Sequence, residues 1–252
     1  MSKVAIYGLG YVGGGMHELF PKAALSDPKR GLFFDNTENA DLHIVCVPTP
    51  QRPDGSCDTS CVEEVLIGIP AGALVLIKST VPPGTVERLS SAGHRIVFSP
   101  EYMGEGGYYV PPQFPDPRSP LTHGFMILGG APADCSAVVD IFIRVVGPTT
   151  RFRFMAAREA ETVKYFENAY LALKVVFANE MRRFCDQIGA NYHLVREGWL
   201  DDPRVGTSHS AAFNGKAYFD GKCLPKDLSA LNAIFESPLL RGLVAANGAN
   251  KA

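Results

Sequence analysis

Residues 4–13 read VAIYGLGYVG, and this stretch decides the fold. An apolar run leads straight into Gly8, Gly10 and Gly13, spaced G-x-G-x-x-G. That spacing directly after a strand is how a buried strand turns sharply into a helix that meets a dinucleotide. Gly8 permits the tight turn, Gly10 lets a pyrophosphate approach the backbone, and Gly13 lets helix and strand pack closely. The helix N-terminus then points N–H groups at the phosphates. A second strand, read at GLFFD (31–35), ends on Asp35, 22 residues after Gly13. An acid there accepts both ribose hydroxyls, and Asn36 and Thr37 behind it offer no cation for a 2′-phosphate. The expectation is a site for NAD, preferred over NADP.

Working outward, the same grammar repeats. KVAIYG, GLFFD, LHIVCVP, ALVLIKS, HRIVFSP and GFMILGG are near-continuous apolar runs, the pattern of parallel strands covered on both faces. Between them, TSCVEEVLIGI (59–69) and ADCSAVVDIFIRVV (133–146) carry apolar residues at helical spacing. Alternating strands and helices predict an α/β domain over 1–156, a Rossmann-like doubly wound parallel sheet. From Arg158 to Ile188 neither proline nor glycine interrupts the chain, which predicts one helix roughly 45 Å long. PKDLSALNAIF (225–235) reads as another helix. Residues 157–252 are therefore expected to form an all-helical central domain.

Composition narrows the function classes. The chain has 252 residues, 46% hydrophobic and 20% charged, with a formal charge of −2. Such a balance gives no global attraction to nucleic acid, and no apolar run has the length of a membrane span. MSKVAIYG shows no signal-peptide layout. The six cysteines are irregularly spaced, which favours reduced thiols and a cytoplasmic setting over a disulfide framework. Cys57 and Cys61 form a C-x3-C pair without a second pair or a nearby histidine, so no metal site is expected.

FDGKCLPKD (219–227) sets Cys223 just before a helix whose first turn suits Pro225. A helix N-terminus and a nearby lysine both favour the thiolate. Lys164 and Asn168 are i and i+4 on the long helix, hence on one face. A cation and an amide so placed can hold a developing oxyanion.

Seven blocks, GLGYVG, CVPTP with DGS, KSTVPPGT, SPEYMGEG, EAETVKYFENAYLALKVVFANE, DDPRVG and GKCLPKD, occur in the order found in the UDP-glucose/GDP-mannose 6-dehydrogenase family, which this chain resembles. The resemblance implies NAD-dependent oxidation of a nucleotide-sugar C6 hydroxyl to a carboxylate through an enzyme thiol. It implies that Cys223, Lys164, Asn168, Asp227, Thr80 and Glu101 are catalytic. It sets Tyr11 and Val12 beside the three glycines at the cofactor, with Val47, Pro48, Thr49, Ser79, Thr80 and Glu105. At the substrate it implies Glu101, Lys164, Asn168, Arg204, Gly221 and Lys226. It also implies a homodimer built on the long helix, where Phe166, Tyr170, Leu171, Leu173, Val176 and Phe177 cover more than one face.

The chain departs from the pattern at four places. The family's approach to the thiol resembles G-F-G-G; here it is Tyr218, Phe219, Asp220 and Gly221, and a carboxylate near the thiol would raise its pKa. Gly104 stands where an arginine is expected. The segment after Asp35 is short, and this sequence does not contain the family's further domain, which grips the nucleotide. The resemblance is thus to a compact form. Two other readings stay open: a β-hydroxyacid-type dehydrogenase, which needs no thiol, and a catalytically degenerate NAD- or sugar-nucleotide-binding protein.

Overall fold

Strand β1 (Val4–Tyr7) is buried along its whole length, as a run of four apolar residues inside a covered sheet must be. The computed structural model describes residues 2–33, 40–91, 93–103, 119–213 and 215–251. These residues form two units, 2–50 with 57–103 and 119–164, and 51–56 with 165–251.

The first unit is built on a seven-stranded sheet. Its strands are β1, β2 (Ala24–Ser26), β3 (Leu42–Val45), β4 (Leu74–Ile77), β5 (Arg95–Phe98), β6 (Phe125–Gly129) and β7 (Arg151–Met155). The order is β2-β1-β3-β4-β5-β6-β7. Neighbours run parallel except β5 and β6, which meet antiparallel at Phe98 and Gly129. Side chains alternate between two cores. Val4, Ile6, Leu42, Ile44 and Leu76 pack with Met16 and Leu19 of α1 (Tyr11–Leu19) and Val138 and Phe142 of α4 (Pro132–Val146). Ala5, Val45, Val75, Ile77 and Phe98 pack with Val62 and Leu66 of α2 (Ser60–Ile67), Val86 and Leu89 of α3 (Thr85–Ser90), and Ala157 and Ala160 of α5 (Ala157–Ile188). Fully burying a leucine such as Leu76 contributes about 1.5–3 kcal/mol, and the sheet holds many such residues.

Two strands differ from the sequence reading. The second strand of the sheet is β2, Ala24–Ser26; of GLFFD only residues 31–33 are described, and there Leu32 forms only an isolated bridge with Asp27. A strand of three residues on a sheet edge, half-exposed, carries little apolar signal, whereas exposed Leu32 and Phe33 imitate one. Asp35, read as its last residue, lies outside the described residues. The seventh strand, RFRFM, alternates charged and apolar residues because it is the opposite edge, half open to water.

The second unit contains the rest of α5 with α6 (Tyr192–Leu200), α7 (Leu224–Ile234) and α8 (Pro238–Lys251). Helix α5 agrees with the sequence reading to within one residue at its start. It stops at Gly189, whose φ of +70° provides the left-handed cap, and the Ala190 N–H returns to the Cys185 carbonyl at 2.9 Å. Ala178, Cys185, Tyr192 and Ala212 form a buried cluster. Tyr192 satisfies its hydroxyl by donating to the Ser210 carbonyl at 2.8 Å.

Candidate active site

The strand order reverses at β1, so the carboxyl ends of β1 and β3 border the switch point where open α/β sheets take ligands. Gly8 has φ +83°, and a Cβ there would meet the Cys46 carbonyl oxygen at 2.8 Å. A Cβ on Gly13 would lie 1.8 Å from the Gly8 carbonyl oxygen. Both positions therefore require glycine. Among the described residues a Cβ on Gly10 would meet nothing within 4 Å, so they leave this side of the turn open. Gly10 is the N-cap of α1 and supplies no side-chain cap. The start of α1, at Val12 and Gly13, is where a helix N-terminus directs backbone N–H groups at an anionic ligand. Tight contacts beneath and open space above suit a diphosphate laid on the backbone.

The acid that the structure sets beside this turn is Asp27, which directly follows β2. Its Oδ2 accepts from the Leu9 N–H at 2.8 Å and its Oδ1 from the Lys29 N–H at 3.1 Å. A carboxylate has about four lone-pair positions, so both oxygens retain acceptor capacity for a ribose diol. Sequence reasoning missed Asp27 because α1 has only nine residues and brings β2 forward. The signal was present in Pro21, just beyond the end of α1, and in the Asp27-Pro28 turn.

The loops after β3 and β4 flank the switch point. Thr49 donates its hydroxyl to the Thr80 carbonyl at 2.8 Å. Ser79 donates to the Val47 carbonyl at 2.7 Å, which ties the two strand ends together and occupies the hydroxyl proton. Pro48 is exposed and Thr80 half-buried.

Glu101 is buried, and its Oε1 accepts from the Tyr102 and Met103 N–H groups at 2.7 and 2.8 Å. Lys78 Nζ lies 3.4 Å from its Oε2. Burial by itself would raise the Glu101 pKa. The Lys78 ammonium, the Met103 N–H, Lys164 and the Tyr102 N–H together outweigh burial and hold it below the ordinary glutamate value. Lys164 donates to the Glu101 carbonyl, and its ammonium lies 5.5 Å from the Tyr102 ring centroid. Lys78, which the sequence reading passed over, is an ion-pair partner of this acid. Glu105 and Gly104 lie outside the described residues.

Buried Glu161 is a further residue missed from sequence. It reaches from α5 to accept the Gly84 N–H at 2.5 Å and the Val86 N–H at 2.8 Å. It thereby caps α3 and holds the loop that carries Thr80.

In the second unit, Cys223 is exposed, outside any disulfide, and occupies the N-cap of α7. The Asp227 N–H donates to the Cys223 carbonyl at 2.9 Å, closing the first turn. The Asp227 side chain is 1% exposed and accepts from the Asn168 amide at 2.6 Å and from Lys226. This pair joins α5 to the helix that begins at the thiol. Gly221, two residues before the thiol, turns the chain with φ +86°. Asp220 pairs with Lys216 at 2.8 Å, which offsets the negative charge expected to disturb the thiol. Arg204 is exposed and folds back on Asp202 at 3.0 Å. Asn214, in the loop between Arg204 and Cys223, lies outside the described residues.

Among the described residues no helix is long and apolar enough to cross a membrane. Residues 30–115 match the model of the UDP-glucose/GDP-mannose dehydrogenase family, NAD binding domain, and residues 158–247 that of the same family's central domain. A UDP-glucose 6-dehydrogenase of Pseudomonas aeruginosa is 32% identical over 235 residues, covering 84% of this chain and 49% of the relative. A UDP-glucose 6-dehydrogenase of Rickettsia conorii is 29% identical over 218 residues, covering 82% and 47%. The chain thus spans about half the length of the curated relatives it matches. Among solved structures, a UDP-glucose dehydrogenase from Pyrobaculum islandicum matches with TM-score 0.78 at 25% identity, covering 99% of this chain and 68% of that one.

Proposed function

This chain belongs to the UDP-glucose/GDP-mannose dehydrogenase family, and from that premise we propose that it oxidises the C6 hydroxymethyl group of a nucleotide sugar to a carboxylate. The proposed cofactor is NAD, which when bound accepts a hydride from C6 in each of two rounds. Gly8, Gly10, Gly13 and the start of α1 would hold its diphosphate, and Asp27 its ribose.

The observation that carries the reading is the 2.6 Å bond between Asn168 and buried Asp227, four residues after exposed Cys223. It orients the Asn168 amide from a helix start that also carries a thiol. In the proposed chemistry the Cys223 thiolate adds to the carbonyl carbon of the intermediate aldehyde, giving a thiohemiacetal. That adduct loses the second hydride and becomes a thioester. Water then cleaves the C–S bond and returns the thiol. Lys164, one turn before Asn168 on α5, supplies positive charge to the oxyanion. Glu101, kept ionised by Lys78, is proposed to order the water with Thr80. Lys226 and Gly221 are proposed substrate contacts. So is Arg204, whose exposure leaves it open to a second copy's substrate. Phe166, Tyr170, Phe177 and Phe184 are exposed along α5, which supports a homodimer that covers them. The six thiols, none in a disulfide, support a cytoplasmic setting.

The test is NADH formation against a panel of nucleotide sugars. Two NADH per UDP-glucose are expected, with Cys223→Ser blocking completion. Full turnover by Cys223→Ala would favour a β-hydroxyacid-type dehydrogenase. No NADH with any sugar nucleotide would favour a binding protein.

A further inference from the structure

We propose that Asn247, on α8, is a positioning residue for the Cys223 thiol. Its side-chain oxygen accepts from the Phe219 N–H at 2.8 Å, and its amide nitrogen donates to the Phe219 carbonyl at 3.1 Å. One amide side chain therefore satisfies both backbone groups of a single residue, as a neighbouring strand would. The partners fix which end of the amide is which, because the N–H needs an acceptor and the carbonyl a donor. One turn further along α8, the Lys251 ammonium lies 5.7 Å from the Tyr218 ring centroid. Helix α8 thus grips two consecutive residues, and Phe219 is buried.

Cys223 lies four residues beyond the clamp. At its own end the chain is fixed by the first turn of α7, through the Asp227 N–H on the Cys223 carbonyl. Between the two anchors, Gly221 makes a left-handed turn and Asp220 is held by Lys216. A short segment pinned at both ends has few arrangements, so the clamp limits where the thiol points. The bonds that Asn247 makes are to the Phe219 backbone. Asn247 acts through the segment.

The inference rests on the reading that Cys223 is the reacting thiol, and the experiment separates the two. Wild type, Asn247→Asp and Asn247→Leu are compared after circular dichroism has shown that each is folded. Hydrogen exchange is followed in the peptide spanning 218–223. Iodoacetamide labelling of Cys223 is measured by peptide mass spectrometry against half-buried Cys61 as internal reference. Steady-state NADH formation with UDP-glucose supplies kcat and KM. In Asn247→Leu the peptide is expected to exchange roughly tenfold faster, the scale of one to two lost hydrogen bonds. The Cys223 to Cys61 labelling ratio rises about threefold, and kcat falls about tenfold with KM within about twofold, as for a misplaced reacting group. Asn247→Asp keeps the acceptor and loses the donor, so it falls between, and it carries the test if the leucine variant does not fold. Faster exchange with unchanged labelling and kcat would make Asn247 merely structural and overturn the inference, as would unchanged exchange. A changed labelling ratio in a protein whose wild type forms no NADH would support the positioning role while sinking the catalytic reading.

Discussion

Replacing Gly13 and Gly10 by alanine, one at a time, separates packing from ligand approach in the β1–α1 turn. A Cβ on Gly13 would stand 1.8 Å from the Gly8 carbonyl oxygen, 2.9 Å from its carbon and 3.4 Å from the Cys46 Cβ. Comfortable separation is roughly 3.5 Å, and both carbonyl atoms belong to backbone, which cannot swing aside as a side chain does. Overpacking costs about 1–3 kcal/mol, and this backbone clash belongs at the upper end. At about 2–4 °C per kcal/mol for a chain of this length, Gly13→Ala should melt roughly 6–12 °C lower. Gly10 is the opposite case. Its φ of −70° and ψ of −155° suit any residue, and among the described residues the added methyl meets nothing within 4 Å. The loss of stability should stay below about 1 kcal/mol. On the proposed reading the methyl would stand where the diphosphate lies. At NAD 100-fold above Kd, wild type should gain about 2.7 kcal/mol from the ligand. A tenfold weaker Kd in Gly10→Ala removes about 1.4 kcal/mol of that gain. Thermal melts with and without NAD, and calorimetric titration, read both quantities. A Gly13→Ala protein melting with wild type, or a Gly10→Ala protein with wild-type NAD affinity, would refute the reasoning.

Asp27→Ala should weaken NAD about tenfold, the scale of a lost charge-assisted hydrogen bond, and narrow its preference over NADP, since Lys29 and Arg30 remain; tighter NADP than NAD binding by wild type in calorimetry would contradict the ribose role. Asn168→Leu removes a donor from buried Asp227, so it should cost about 1–3 kcal/mol in urea unfolding and about 10²-fold in kcat; wild-type values for both would count against the Asn168–Asp227 pair. Burial raises the Glu161 pKa from 4.5 to about 7, against the Val86 and Gly84 N–H groups and Arg158, which lower it, with Glu87 adding to the rise. Because the folded pKa is the higher one, its stabilising contribution is complete below pH 4.5 and is lost as pH rises through 7. Wild type should therefore lose about 3 kcal/mol relative to Glu161→Gln between pH 4.5 and 8, and parallel pH curves in urea unfolding would rule this out. Light scattering should give a dimer at micromolar concentration, with a monomer contradicting the role proposed for exposed Phe166, Tyr170 and Phe177.

How much was legible differs from residue to residue. The three glycines were legible because the apolar run before them fixes their context. Helix α5 was legible because no breaker interrupts it before Gly189. Cys223, Lys164, Asn168 and Asp227 stood in blocks of recognisable order, and Asn168 with Asp227 proved to be in contact. Strand β2 was not legible. A three-residue edge strand buries little, and the nearby LFF segment is the more apolar one.

By itself the sequence determined what local chemistry determines: where strands and helices alternate, where the backbone must turn left-handed, and which residue types stand at a helix start. Those properties depend on a few neighbouring residues. The tertiary structure decided pairings across long stretches of chain. Asp27 reaches back 18 residues to the Leu9 N–H, Asn247 28 residues to Phe219, and Glu161 77 residues to Gly84. The Lys78 ammonium comes to stand beside the Glu101 carboxylate in the same way. No periodicity announces such contacts. A buried carboxylate or amide must find a partner once the chain has folded, and which partner it finds depends on how the elements within each unit pack, not on the residues beside it.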